Sequence, residues 1–309
     1  MRSKIGPKIV QISIIFSLIA IPPVIISTYS ITPRYPGISI KGGNYYPSTF
    51  AWMDMWLKWD ETVVREELSF LKDLGMDTVL TYLHYEVFKD ERYLKLTDEF
   101  LEIADQNGLK VVFSLFDVEP PSFDDFEESQ RWVRPIVERY GEDERILYWI
   151  LRNEINCEDY FTSESASLWV KRMVEYMRSK GTTHPITVEI ALSNPSDIST
   201  LINFLPYIDY VQITFYGNPF HLNSLLKKIK SLTSKPIVLS EFGLPTDEYS
   251  EREQAEYYRK IIQTARENHI YGLFFWECFD HYANVKPYGI YTIDHQPKQV
   301  VHEWSEYWR

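Results

Sequence analysis

What the chain lacks narrows it first. Two cysteines in 309 residues, Cys157 and Cys278, cannot build a disulfide framework. No Cys/His cluster has zinc spacing and no His-x-His or grouped Asp/His set marks a catalytic metal, so neither a metal nor another cofactor is expected. The early glycines, Gly42-Gly43-Asn44, do not fit the G-x-G-x-x-G turn that cradles a dinucleotide phosphate. No Asn-x-Ser/Thr acceptor occurs, because Asn194 is followed by Pro195. Basic residues are the minority, 32 Lys and Arg against 44 Asp and Glu, and the net charge of −12 excludes broad electrostatic affinity for nucleic acid or an anionic membrane. From residue 38 to 309 there is no repeat, long linker or low-complexity tract.

The first thirty residues are of another kind. Arg2, Lys4 and Lys8 precede an apolar run from Ile9 to Ile26, interrupted by Pro22-Pro23, and Thr28 and Ser30 supply small residues at cleavage-like positions. Residues 1–30 read as a secretory signal or as an uncleaved single-span anchor, the two prolines and marginal length favouring the signal. Either reading puts residues 31–309 outside the cytoplasm, extracellular or at the cell surface, with an anchor as the one membrane contact. Losing the segment removes three positive charges and no negative one, so the exported part is more acidic still.

What remains is an alternation. Short apolar runs at Ile38–Tyr45, Thr78–Leu83, Lys110–Leu115, Tyr148–Glu154, Pro185–Ile190, Ile208–Thr214, Pro236–Gly243 and Tyr271–Trp276 read as eight strands. Between them lie amphipathic stretches with apolar residues at helical spacing, such as Val64, Leu68 and Leu71, or Trp169, Val170, Met173 and Met177. Near-continuous apolar strands predict a parallel sheet covered by helices, and eight such units close into a single-domain (β/α)8 barrel over residues 31–309. Cys157 and Cys278 then follow strands on opposite sides, farther apart than the about 7 Å between Cα atoms that a disulfide tolerates.

In such a barrel the residues just past the carboxyl ends of the strands line one mouth, where binding and chemistry are built. Those ends carry Asn44 and Tyr45, Tyr82 and His84, Phe116 and Asp117, Asn153 and Glu154, Glu189, Phe215 and Tyr216, Glu241, and Trp276 and Glu277. Glu154 and Glu241 suit acid and nucleophile chemistry on a glycosidic bond, which needs two carboxyls facing one centre. His84 and Asp117 are candidate sugar-binding groups at the mouth. Tyr45, Trp52 and Trp56 are candidate walls of more distant subsites, and Glu189 and Glu277 read as solvated loop charges.

The set Asn153-Glu154, Tyr216, Glu241 and Trp276, in this order at strands four, six, seven and eight, resembles the clan A retaining glycoside hydrolases, which include the family 5 cellulases and mannanases. The resemblance implies that Glu154 is the general acid/base, Asn153 binds the sugar 2-hydroxyl and Glu241 is the nucleophile. It also implies that Tyr216 orients Glu241 and that Trp276 floors the subsite of the attacked sugar. Family 5 members usually carry an arginine near the end of strand two and a histidine at the end of strand three. This chain has Thr81-Tyr82-Leu83-His84 and Phe116-Asp117 there, so the resemblance reaches the clan and leaves family and substrate open.

The implied activity is hydrolysis of a β-linked glycan with retention. Transglycosylation and a carbohydrate-binding barrel without catalysis are the alternatives. On this reading Glu241 stays ionised through a hydrogen bond from Tyr216, and its charge raises Glu154.

Overall fold

The computed structural model describes residues 38–304 apart from 118–120, 158–161, 193–197, 283–285 and 303. The expected signal or anchor lies outside the described residues, as does most of the helix expected at Val300–Trp308. No helix among the described residues is long and apolar enough to cross a membrane.

Nine parallel strands form the sheet: β1 Ile40–Asn44, β2 Thr78–Tyr82, β3 Lys110–Phe116, β4 Ile146–Arg152, β5 Ile186–Thr187, β6 Glu189–Ala191, β7 Val211–Thr214, β8 Ile237–Glu241 and β9 Gly272–Phe275. Their order is β5-β4-β3-β2-β1-β9-β8-β7-β6. The two ends of that order, β5 and β6, are separated in the chain by Val188 alone, so they are halves of one broken strand. Eight barrel positions result, as in a (β/α)8 barrel, and the expected sixth, seventh and eighth strands are β7, β8 and β9.

The helices are α1 Asp54–Leu57, α2 Glu61–Asp73, α3 Tyr85–Phe88, α4 Leu94–Gln106, α5 Phe126–Tyr140, α6 Ser163–Ser179, α7 Ile198–Phe204, α8 Pro219–Leu232 and α9 Glu251–Glu267. Side chains fix where several begin. Asp60 accepts from the Thr62 and Val63 amides at α2, and Ser250 and Glu253 form a reciprocal capping box at α9. Asn218 caps α8, where Pro219 occupies the first turn without wasting an amide hydrogen. The short α1 and α3, lying in the loops after β1 and β2, are too brief to leave a periodic pattern and were not expected.

Strands such as β2 and β8 are buried at every residue, because helices cover one face and the barrel interior fills the other. At Gly42 a Cβ would press into the Phe274 ring and the Thr78 carbonyl, so β1 packs this tightly only with glycine there. No disulfide joins Cys157, at the surface, to the fully buried Cys278.

Candidate active site

The mouth is organised by where each strand lets go of its last side chain. In β8 the register with β7 slips by one residue: Ile213 pairs with Leu239, but Thr214 pairs with Glu241. That bulge places Ser240 as the extra residue and sets Glu241 beside Thr214, the usual way a bulge re-aims a side chain at a site. Glu241 is 5% exposed. Its Oε1 lies 2.9 Å from the Tyr82 hydroxyl and its Oε2 accepts from the Tyr216 hydroxyl at 3.0 Å. Burial pushes the carboxyl well up, with the charges of Glu189 and Glu154 adding to the push and the two tyrosine hydrogen bonds opposing it.

Tyr82 is itself held. Its oxygen lies 2.7 Å from Asn44 Oδ1, while Asn44 Nδ2 donates to the carbonyls of Ser240 and Phe275 at 2.7 and 3.2 Å. Asn44 therefore ties β1, β2, β8 and β9 together at the level of the carboxylate. The sequence placed both Asn44 and Tyr82 at strand ends lining the mouth but gave neither a role.

Glu154 is delivered differently. β4 ends at Arg152, whose guanidinium is buried and lies over the rings of Phe123 and Trp169 at 4.5 and 5.5 Å. Asn153 and Glu154 then turn into the mouth, Glu154 at a φ of 35°, the left-handed region that a residue with a Cβ seldom adopts. The turn is pinned from beyond by Asn156, which donates to the Ala191 carbonyl at 3.0 Å and accepts from the Ala191 amide at 2.8 Å. The Glu154 carboxyl is pushed up to about 7, first by burial and then by the charges of Glu189 and Asp117. Sequence reasoning had assigned that rise to Glu241 alone.

Trp276 follows β9, half-buried, with its amide on the Phe242 carbonyl at 2.8 Å. A Cβ on Gly243 would collide with the Trp276 carbonyl, so glycine at 243 lets the two strand ends approach. The Trp276 ring meets Trp52 at 5.9 Å and stands edge-on to Tyr46 and Tyr82, both at 6.3 Å. Tyr46 stacks on Tyr82 at 5.4 Å and its hydroxyl lies 3.2 Å from His84 Nε2. Burial lowers His84 to about 4, so the ring is neutral near pH 7. His84 Nδ1 stands 3.6 Å from Asp117 Oδ2, beyond a hydrogen bond, and Asn153 Nδ2 reaches Asp117 Oδ1 at 3.4 Å.

The structure thus gathers Asn153, Asp117 and His84 in one contact chain and Glu241 with Tyr216 in another. Tyr45 belongs to neither. It is fully buried, its hydroxyl donates to Glu67 of α2 at 2.8 Å and its ring stacks on Phe100 of α4, so it faces the helix layer and not the mouth. Trp56 is equally buried, donating to the Tyr82 carbonyl at 2.8 Å. Glu189 and Glu277 are not solvated: Glu189 is fully buried on β6, and Glu277 is buried against His281 Nε2 at 3.1 Å. Strand parity is the signal that separates these residues. In β1 and its extension Asn44 and Tyr46 point one way and Tyr45 the other.

No protein-family model matches the sequence, and no curated protein matches it either. Solved structures do. A GH5_18 protein from Streptomyces cattleya, in complex with Manβ1-4GlcNAc, superposes with a TM-score of 0.72 over 88% of this chain and 80% of that one at 18% identity. The exo-β-1,4-mannosidase Op5Man5 from Opitutaceae bacterium strain TAV5 gives 0.75 at 20% identity, covering 88% of this chain and 59% of that enzyme. A β-glucosidase, 1317, gives 0.68 at 12% identity over 81% and 88% of the two chains. The fold is one that glycoside hydrolases use.

Proposed function

We propose that the protein is a retaining β-glycoside hydrolase, with Glu241 as nucleophile and Glu154 as general acid/base. The observation that carries this reading is the asymmetry of the two carboxyls at one mouth. Burial pushes both up, but Glu241 meets tyrosine hydroxyls on both oxygens that oppose the push, whereas Glu154 is held at about 7 with no hydrogen bond among the causes. Double displacement needs that division, one carboxyl to attack and one to carry a proton at neutral pH.

Glu154 gives its proton to the departing glycosidic oxygen while Glu241 attacks the anomeric carbon. The glycosyl ester that forms has no charge on Glu241, so Glu154, now ionised, takes a proton from the attacking water and restores the start. Asn153 binds the 2-hydroxyl, Trp276 floors the attacked sugar, and the neutral His84 ring with Asp117 receives further hydroxyls. The gluco- or manno-configured β-linked ligands and activities named for the neighbours make short glycans of those sugars the first substrates to try.

The test is a panel of aryl β-glycosides and defined β-linked oligosaccharides, with the first-formed anomer followed by proton NMR and Glu241→Ala run beside the native protein. The β-anomer is expected. First appearance of the α-anomer, or equal turnover by Glu241→Ala, overturns the reading.

A further inference from the structure

The exposed aromatic rings are not scattered. Among the described residues the open ones are Tyr216 at 42%, Phe220 at 80%, Tyr249 at 42% and Tyr282 at 74%. Each follows the carboxyl end of a strand: Tyr216 and Phe220 come after β7, Tyr249 after β8 and Tyr282 after β9. Those three strands are neighbours in the sheet, so the rings occupy one arc of the mouth. The exposed large aliphatic side chains, Leu57, Leu168, Ile202 and Leu232, sit instead on α1, α6, α7 and the far end of α8. Of the four rings, the double displacement described above uses Tyr216 alone.

The loops that carry the rings are tied together. The Thr246 amide in the β8 loop donates to the Pro287 carbonyl in the β9 loop at 2.9 Å. The buried Lys298 reaches Thr246 Oγ1 at 2.9 Å and Asp280 Oδ2 at 2.8 Å, so one ammonium joins both loops. Tyr288 of the β9 loop meets the Tyr216 ring at 5.9 Å, and Asn218 Oδ1 accepts from the Phe220 amide at 3.0 Å.

We propose that this arc is a glycan-binding surface, holding a neutral β-linked chain as it leaves the catalytic mouth, so that the substrate is an oligo- or polysaccharide and not a small glycoside. The proposal rests on the glycosidase reading for the bond that is cut. Three observations select the occupant. Tyr216 places its hydroxyl on Glu241 and leaves its ring open, so the surface begins at the reacting centre. A sugar offers an apolar C–H face and a hydroxyl edge, which a flat ring with a polar tip can match together. A protein interface would mix aliphatic side chains into its buried centre, and no exposed Leu, Ile or Met among the described residues stands in the arc. Charge then separates neutral from acidic chains. Asp247 and Glu248 are exposed in the β8 loop, and Lys286 of the β9 loop is already paired with Glu248, an arrangement that repels a polyanion.

Phe220→Ala, Tyr249→Ala and Tyr282→Ala, singly and combined, test the idea. Their side chains are exposed, so the variants keep the fold, and Tyr216 is left intact because it touches Glu241. Migration through native gels cast with hydroxyethylcellulose or galactomannan reads binding without turnover, with Glu241→Ala as the background. At least one of the two glycans should retard that protein. Each ring removed should weaken binding about 2–10-fold, the range of one ring contact, and the triple variant about 10–100-fold or more. In the active protein the loss should appear in KM for long chains, while kcat/KM on aryl β-monoglycosides stays within about twofold. Retardation by neither glycan, retardation that the triple variant keeps, or an equal loss on monoglycosides and chains overturns the proposal. A native dimer that the triple variant turns into monomers, seen by sedimentation, shows that the arc joins two copies and overturns it as well. If the native protein cuts no glycoside while its retardation depends on the rings, the catalytic reading fails and the binding surface stands.

Discussion

Glu241 and Glu154 meet at one mouth from opposite kinds of structure. Glu241 is the last residue of β8, set there by a bulge, and hydrogen-bonds to side chains that are themselves anchored, Tyr82 through Asn44 among them. Glu154 stands two residues past a strand, on a left-handed backbone, and its local support is the Asn156 clasp onto β6. The difference teaches what each task requires. A nucleophile must be aimed and its charge favoured, and the tyrosine donors to Glu241 work in that direction against the upward push of burial and neighbouring charges. A proton donor must hold and release a proton near neutral pH, which partial burial among negative neighbours accomplishes.

The sharpest way to break this comparison is to remove one carboxyl at a time. Glu241→Ala should lower kcat by roughly 10⁴-fold or more on every glycoside, because it removes the proposed attacking carboxylate itself. Steady-state assay with aryl and natural substrates checks it.

Glu154→Gln should cost about 10²–10⁴-fold on glycosides with poor leaving groups and far less on activated aryl glycosides, which leave unaided. In the native enzyme kcat/KM should fall as pH rises through about 7, where Glu154 loses its proton. The same group links to stability. Its folded value near 7 lies above its ordinary 4.5, so the folded state holds a proton that the unfolded chain has released between those values. Stability should therefore drop as pH climbs from 4.5 to about 7, and Glu154→Gln should melt higher than the native protein above pH 7 and alike below 4.5. Thermal melts across that range decide it.

Next come the donors. Tyr82→Phe and Tyr216→Phe should each reduce kcat about 10–100-fold through loss of a hydrogen bond to a charged group. Tyr216→Phe should cost Glu241 the more, because the single Tyr82 proton is shared between Glu241 Oε1 and Asn44 Oδ1 whereas Tyr216 donates to Glu241 Oε2. Equal and negligible effects would remove the grip from the account of Glu241.

Asn156→Ala attacks the other support. Two hydrogen bonds to Ala191 are lost, at a cost of about 1–3 kcal/mol in stability, and kcat should fall most on the substrates that depend on Glu154. The smallest functional effect is expected from Tyr45→Phe. It should lower stability by about 1 kcal/mol, since Glu67 keeps the Ser48 amide and His295, and leave kcat/KM alone.

Tyr45 also shows how far the sequence could be read. Apolar runs separated by amphipathic stretches specify strands, helices and their count, because burial on both faces leaves a one-dimensional trace. The ends of those runs then locate the mouth, which is why Glu154, Glu241 and Tyr216 could be named. What the trace does not hold is the fine register. The bulge that turns Glu241 inward, the interruption at Val188, and the parity that sends Tyr45 outward and Tyr46 inward depend on pairings between strands far apart in sequence. Glu189 was read as a solvated charge for the same reason. A glutamate beside an apolar strand looks alike from the sequence whether it faces water or the barrel interior, and donors such as Gln212 and Thr214 on β7 make the interior tolerable.

Strand β6 is three residues long, and both carboxyls take their bearings from it. Glu189 at its start accepts from Thr214, the register partner of Glu241, while Ala191 at its end grips the turn that carries Glu154. Two steps along a strand span about 6.6 Å. Under the proposed function β6 acts as a ruler between acid and nucleophile. One residue inserted there would add about 3.3 Å, comparable to the gap between the spacings that retain and invert an anomeric centre. In the proposed mechanism the stereochemical outcome is set as a length, in a piece of the sheet that touches both sides of the site.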